Sequence, residues 1–304
     1  MTPQRPTALD VVAGVDLLGR EAIVTGGIGG IGYETALALA SAGARVVIAG
    51  RDRDRGEAAA TALTAAARGG PVVFRHLDLA SLASIANWTS GHNATGKPCH
   101  ILVANAGVMA SPLSRTEDGF ELQFGTNHLG HFAFTVGLLP SLRAAGGARV
   151  VVLSSSAHRR ADVDFDDPNY LVREYDPWQA YGQSKTANAL FAVALHPRFA
   201  ADGITANAVM PGMIATDLQR HMSDAERARR RWPAHGWITP EQGAATSVWA
   251  AVAPELSGVG GQYLDACAIG RPWPGDGPLR ALKAVVGDGQ VEIFRVAMPV
   301  PLAA

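Results

Sequence analysis

The run Glu21-Ala-Ile-Val-Thr25 passes directly into Gly26-Gly27-Ile28-Gly29-Gly30-Ile31-Gly32, and this junction decides the fold. The first five residues carry the β-branched and small apolar side chains of a short strand. Glycines follow, where the chain must turn at positive φ or pass close to another group. Residues 33–42 then read as helix, rich in Ala and Leu and stopped by Gly43. Gly27, Gly29 and Gly32 fit a G-x-G-x-x-G spacing between strand and helix, the context that a dinucleotide fingerprint requires. A helix starting near Gly30 directs its free N–H groups at a pyrophosphate. A plain tight turn could carry one or two glycines, whereas here five stand in seven positions.

The same rhythm continues outward. Residues 44–49 form a strand without polar alternation, which a sheet covered on both faces explains. Helix is expected over 54–67, 81–90, 119–145 (one long helix), 177–201 and 239–253, the last with Pro240 in its first turn. Strands are expected over 72–77, 100–104, 149–153, 204–209 and 261–264. Such alternation gives parallel βαβ units, hence an α/β fold: a single doubly wound Rossmann-type domain whose mostly parallel sheet of about seven strands is flanked by helices. Residues 1–304 read as one dinucleotide-binding catalytic domain with a core over about 17–265. A compositional break at 270–278 leaves 271–304 as a C-terminal tail.

Composition narrows the functional classes. Of 304 residues, 48% are hydrophobic and 17% charged, which supports a sizeable core and excludes disorder over most of the chain. Against 26 Lys+Arg stand 27 Asp+Glu, a balance unsuited to binding nucleic acid or an anionic membrane surface. No apolar run approaches the roughly 18 residues of a membrane helix, and residues 1–10 lack the apolar segment of a signal peptide. Cys99 and Cys267 are far apart, as expected of simple thiols in a soluble, cytoplasmic protein.

Two further sites carry chemistry. The acid usually found after the second strand is absent and Gly50-Arg51 stands there, which favours a 2′-phosphate and hence NADP(H), with NAD(H) still possible because Asp52 follows at once. Tyr181-Gly-Gln-Ser-Lys185 sets a phenol and an ammonium on one face of a helix. A free tyrosine has a pKa of about 10, and a neighbouring cation favours phenolate and so brings it towards a working range. Ser155, at the C-terminal end of a parallel strand, is placed to hydrogen-bond a substrate oxygen.

With these residues in view the chain resembles the short-chain dehydrogenase/reductase family from about residue 17 to 265. The likeness rests on Thr25-Gly26-x-x-x-Gly30-x-Gly32, Asp78-Leu79, Asn105-Ala106-Gly107, Asn127, Ser155, Tyr181-x-x-x-Lys185 and Pro211-Gly212, which occur in family order. It implies a catalytic tetrad in which Tyr181 is the general acid/base and Ser155 orients the carbonyl or alcohol. Lys185 would bind the nicotinamide ribose and lower the tyrosine pKa, and Asn127 would hold a proton-relay water. It further implies cofactor contacts by Thr25, Gly26, Gly27, Gly30, Ile31, Gly32, Arg51, Asp78, Leu79, Asn105, Ala106, Gly107, Tyr181, Lys185, Pro211, Gly212, Ile214 and Thr216. The phrases Gly14-Val-Asp-Leu-Leu-Gly-Arg20, Thr126-Asn-His-Leu-Gly-His-Phe132 and Ser154-Ser-Ser-Ala-His158 are most similar to the retinol-dehydrogenase-like and WW-domain-oxidoreductase-like branch. So is the long stretch between Ser155 and Tyr181.

The expectation is an NADP(H)-dependent oxidoreductase that interconverts a carbonyl and an alcohol on a hydrophobic small molecule. The alternatives are a dehydratase, epimerase or cyclase reusing the same tyrosine and lysine, or a non-catalytic dinucleotide sensor. Residues 213–238, with Met213, Leu218, Met222, Trp232 and Trp237, are expected to form a substrate lid. A homodimer or homotetramer is compatible with the resemblance. His128 and His131 lack a third ligand at metal-binding spacing and read as packed or hydrogen-bonded histidines. Arg227 and Arg229-Arg230-Arg231 read as a solvated helix face.

Overall fold

The computed structural model describes residues 5–67, 69–214, 216–219, 222 and 237–270, with the backbone alone of 281–286 and 290–295. Seven strands of the main sheet are β1 (Glu21–Thr25), β2 (Arg45–Gly50), β3 (Val72–His76), β4 (Ile101–Ala104), β5 (Ala148–Leu153), β6 (Ile204–Met210) and β9 (Tyr263–Asp265). They lie in the order β9-β6-β5-β4-β1-β2-β3 and pair in parallel throughout. An eighth, two-residue strand β10 (Ala268–Ile269) adds antiparallel to β9, one more than the sequence pattern gives. Strand order reverses between β1 and β4. At such a switch point the helices leave to opposite faces and a crevice opens above the strand ends.

Alternate residues of each strand feed two cores. Ala22, Val24, Val46, Ile48, Val103 and Val151 face one side, with Leu39 of α2 (Gly30–Ser41) and Leu63 of α3 (Arg53–Ala67). Ile23, Val47, Leu102, Val150 and Val152 face the other, against Trp88 of α4 (Leu82–Asn93) and Phe134. Because both faces are covered, the strands show no polar alternation in sequence. A fully buried side chain such as Phe134 contributes about 1.5–3 kcal/mol. The first core also takes α9 (Pro240–Val252), whose start is fixed by a capping box between Thr239 and Gln242. A short helix α1 (Ala8–Val11), not foreseen from sequence, packs its Ala8 against Ala244 and Val248 of α9.

The single long helix expected over 119–145 is instead three pieces. Here α5 (Leu122–Phe124) leads into a π-turn at Gly125–Leu129, then α6 (Gly130–Gly137) and α7 (Leu139–Ala144). The Gly130 N–H reaches back five residues to the Gly125 carbonyl. A side chain on Gly130 would collide with the Leu79 carbonyl, so the element can approach β3's exit loop this closely only with glycine there. Pro140 lacks the N–H that would continue α6 and starts α7 instead. By contrast α8 (Pro177–Phe199) is unbroken and is buried on nearly every side from Ala180 to Ala189. In the tail, β11 (Ala281–Val286) and β12 (Gln290–Arg295) pair antiparallel with each other, and the rest of 271–304 lies outside the described residues.

Candidate active site

At the end of β1 the backbone turns through Gly26 (φ +68°) into α2, which Gly30 (φ +54°) begins. A Cβ on Gly27 would lie 2.5 Å from Ile48 Cγ2, and one on Gly32 would lie 2.5 Å from Asn105 Nδ2 and strike the Gly26 carbonyl. Gly29, the N-cap, faces open space and brings no capping side chain. The turn is therefore a bare N-terminal cradle: tight glycines behind it and room in front. Thr25 ties it to the neighbouring strand. Its Oγ1 accepts the N–H groups of Asn105 (2.9 Å) and Ala106 (3.0 Å). Asn105 Nδ2 in turn donates to the Thr25 carbonyl at 2.7 Å.

Above the cradle lies a cleft of about 500 Å³. Of the residues the sequence points to, Gly26, Gly30, Ile31, Gly32, Arg51, Asp78, Leu79, Asn105, Ala106, Gly107, Tyr181, Lys185, Pro211 and Thr216 line it. Thr25, Gly27, Asn127, Ser155, Gly212 and Ile214 are not part of that lining. Thr25 and Asn127 are wholly buried, and a Cβ on Gly107 would meet Asn127 Oδ1 at 3.1 Å. Gly27 packs on Ile48, Gly212 (φ +105°) on Ile238, and Ile214 under Gly243. Sequence reasoning missed Arg55 and Thr126, which also line the cleft. Arg55 stands four residues after Arg51, a spacing that could have revealed it. Thr126 gives no signal of its own: its buried hydroxyl finds no protein partner, and only the π-turn brings it to the cleft.

Tyr181 and Lys185 project from adjacent turns of α8 and are 5% and 4% exposed. Ser155, at the exit of β5, lies beside the Tyr181 phenol, and its Oγ accepts the Ala157 N–H at 3.2 Å. The expectation that lysine would bring the phenol down does not hold: burial dominates and pushes Tyr181 up to about 12, with Ser155 opposing. Lys185 Nζ is 5.6 Å from the centre of the tyrosine ring and donates to the Leu153 carbonyl at 3.0 Å. Burial lowers this ammonium to about 8. Asn127 has its side chain fully engaged by protein: Oδ1 accepts the Val108 N–H (2.8 Å), while Nδ2 donates to the Val108 carbonyl (2.9 Å) and to Ser184 Oγ (3.0 Å).

Beside the phenol the packing is apolar. Met109, Ala110, Ala157, Tyr181 and Met222 form a buried cluster, with Trp178 and Leu218 packed against it. Leu218 and Met222 come from the segment expected to be a lid. Its two ends are joined by pairing of β7 (Met213–Ile214) with β8 (Trp237–Ile238). Trp232 and the arginines at 227 and 229–231 lie outside the described residues. His131 bridges the Asn127 carbonyl and Thr25 Oγ1, both at 2.8 Å, and His128 meets Asn188 Oδ1 at 3.2 Å. Burial holds both near 4, as neutral structural histidines.

Comparison with known proteins supplies the lineage. Residues 20–227 match the short chain dehydrogenase family. A probable oxidoreductase of Streptomyces lividans is 49% identical over 260 residues, covering 83% of this chain and 86% of that protein. Retinol dehydrogenase 13 of Homo sapiens is 42% identical over 261 residues, 84% of this chain and 79% of that one. The Pseudomonas aeruginosa RhlG/NADP active-site complex superposes with a TM-score of 0.66 at 28% identity, covering 82% of this chain and 95% of that one.

Proposed function

The chain belongs to the short-chain dehydrogenase family, whose members are NAD(P)-dependent oxidoreductases acting on alcohols and carbonyls, and from that premise we propose that it uses NADP(H) to interconvert a carbonyl and an alcohol on a large apolar molecule, with Tyr181 as general acid/base. The observation that carries this reading is the convergence of the Tyr181 phenol, the Ser155 hydroxyl and the Lys185 ammonium between the bare glycine cradle and an apolar wall.

The cradle suits a dinucleotide. Gly26, Gly30, Ile31 and Gly32 would surround the pyrophosphate at the α2 N-terminus, with Thr25 and Gly27 shaping the turn from behind. Asp78 and Leu79 would flank the adenine, and Asn105, Ala106 and Gly107 the adenosine side. Pro211, Gly212, Ile214 and Thr216 would meet the nicotinamide end, and Lys185 its ribose. Arg51 and Arg55, both at the cleft, would face a 2′-phosphate with planar, permanently charged forks. The bound nicotinamide supplies or accepts the hydride.

The protein's own part is the proton. With its pKa pushed up to about 12, Tyr181 is a neutral phenol near pH 7, able to donate to a carbonyl oxygen during reduction. The phenolate left behind is held by the Ser155 hydroxyl and by the positive charge of Lys185, and the same groups favour proton removal in the oxidative direction. Asn127 fixes the Val108 strand exit against α8 through its side chain. Residues 213–238 would cover the substrate, with Leu218 and Met222 closing on the phenol side.

The test offers purified protein NADP(H) and NAD(H) side by side, with aldehydes, ketones and alcohols of increasing apolar size. Turnover, read from the reduced-nicotinamide absorbance, is expected with NADP(H) and large apolar compounds. Absence of turnover with every pair, or a clear preference for NAD(H) and small polar substrates, overturns the reading.

A further inference from the structure

The loop after β4 has no strand beside it beyond Ala104, and Ala110 within it sits at φ +51°. Side-chain amides replace the missing ladder. Asn127 binds both polar groups of Val108. Four residues earlier, the wholly buried Gln123 does the corresponding work at the next rung: its Oε1 accepts the Ala110 N–H at 2.9 Å. Each amide then reaches the other way to α8. Asn127 Nδ2 donates to Ser184 Oγ at 3.0 Å, and Gln123 Nε2 donates to the Pro177 carbonyl at 2.8 Å. The second Nε2 hydrogen goes to the Tyr175 hydroxyl at 2.9 Å, which itself donates to the Ser111 carbonyl at 2.9 Å. The Gln123 side chain thus has every polar group engaged, and its partners lie in the loop after β4 and in the segment that leads into α8. Pro177 lies four residues before the phenol and Ser184 three after it, so the two amides bracket the tyrosine along its helix.

We propose that Gln123 is a positioning residue of this enzyme, which together with Asn127 fixes the gap between the Met109–Ala110 wall and the Tyr181 phenol. The proposal rests on the reading of Tyr181 as the proton donor. A glutamine suits this task because one planar group offers an acceptor to the loop and two donors to the helix side, in fixed geometry. Buried and fully satisfied, it holds both partners at once, and a hydrophobic side chain of equal volume fills the space but ties neither. Misplacement of a reacting group by a fraction of an ångström lowers turnover without touching the cradle that binds the dinucleotide.

The experiment compares wild type with Gln123→Met, which keeps volume and removes all three bonds, and with Tyr175→Phe, which removes one partner at a half-buried position. Three readouts are taken: Kd for NADPH by nucleotide fluorescence, kcat and KM on the best substrate with the pH profile of kcat, and amide exchange at positions 108 and 110. Gln123→Met is expected to keep Kd within about twofold, to lower kcat about tenfold or more with a shifted pH profile, and to expose the Ala110 N–H to exchange while the Val108 N–H stays protected. Tyr175→Phe should show the same pattern, several-fold weaker. A folded Gln123→Met with wild-type kcat and pH profile overturns the proposal, as does a rise in Kd that matches the loss of turnover. Should Gln123→Met fail to fold, wild-type kcat in Tyr175→Phe overturns it alone. A wild type that turns over nothing sinks the functional reading instead, and the exchange at Ala110 still decides whether Gln123 holds the loop.

Discussion

At the glycine turn, the cleft wall is backbone: Gly26, Gly27 and Gly32 are small because Ile48, Asn105, Ala106 and the Gly26 carbonyl leave no space for anything larger, and Gly30 turns at φ +54°. Across the cleft, Tyr181 and the buried Met109 and Ala110 packed beside it form a second wall held by side chains, through Asn127 and Gln123. The first wall is one βα turn pressed against β2 and the exit of β4, and it depends on excluded volume. The second is assembled from the loop after β4, α5, the π-turn and α8, whose contributing residues stand some seventy positions apart along the chain, and depends on directional hydrogen bonds. A binding surface made of backbone tolerates little variation, whereas one made of side chains can be altered locally. Dinucleotide binding and substrate chemistry should therefore be separable by mutation.

The sharpest separation is expected at the phenol. Tyr181→Phe keeps the ring and removes the transferable proton, so turnover should fall about 10²–10⁴-fold while NADPH affinity by fluorescence titration stays near wild type. Near wild-type turnover would falsify the proton-donor role. The converse break is Gly32→Ala. Its Cβ collides with the Gly26 carbonyl and Asn105, costing about 1–3 kcal/mol of stability and weakening NADPH at least tenfold. A variant with unchanged Tm and Kd would show that the glycine wall yields more than its geometry allows.

Arg51→Leu sharpens the first wall further. Loss of a charge-assisted contact of about 1.5–3 kcal/mol should weaken NADPH about 10–100-fold and leave NADH unchanged, with Arg55→Leu acting in the same direction. Equal effects on both nucleotides in isothermal titration would remove the 2′-phosphate from the argument. On the second wall, Met109→Ala and Met222→Ala should flatten the gain in kcat/KM with apolar substrate size, by about tenfold for the largest compound. An unchanged size series in both variants would mean that the cluster packs the loop and does not meet substrate.

The smallest effect tests the bridge between the walls. His131 connects Thr25 to Asn127, and burial lowers its pKa to about 4. Its folded pKa lies below the unfolded value of about 6.5, so the unfolded chain binds the extra proton between those values. Stability is then full above about pH 6.5 and is lost as pH falls towards 4, with His128 and His158 adding in the same direction. The unfolding free energy from urea titration should drop with acid by on the order of 1 kcal/mol per histidine, and His131→Phe should reduce that slope. An identical slope in the variant would place the acid sensitivity elsewhere.

Much of the first wall was legible before any coordinates. Five glycines between a strand and a helix, with Thr25 ahead of them, specify a tight βα turn within a few residues of sequence, although Ile48 and Asn105 that press on it come from other strands. Tyr181 and Lys185 were legible for the same reason, since i and i+4 share a helix face whatever surrounds them. The break of residues 119–145 at Gly125–Leu129 was not: Gly130 at its end lies against the Leu79 carbonyl of the loop after β3, a contact that local sequence does not reveal.

What the sequence determined by itself, then, was the order of strands and helices, the glycine cradle and the Tyr-x-x-x-Lys pair, all written in spacings of a few residues. Only the tertiary structure decided how the phenol is held and what surrounds it. Gln123 and Pro177 are 54 positions apart and Asn127 and Ser184 are 57 apart, so no periodicity links them until the sheet brings α8 beside the π-turn. The phenol's pKa likewise is raised by burial, and the side chains packed around it, Met109, Ala157 and Met222, come together only in the folded chain.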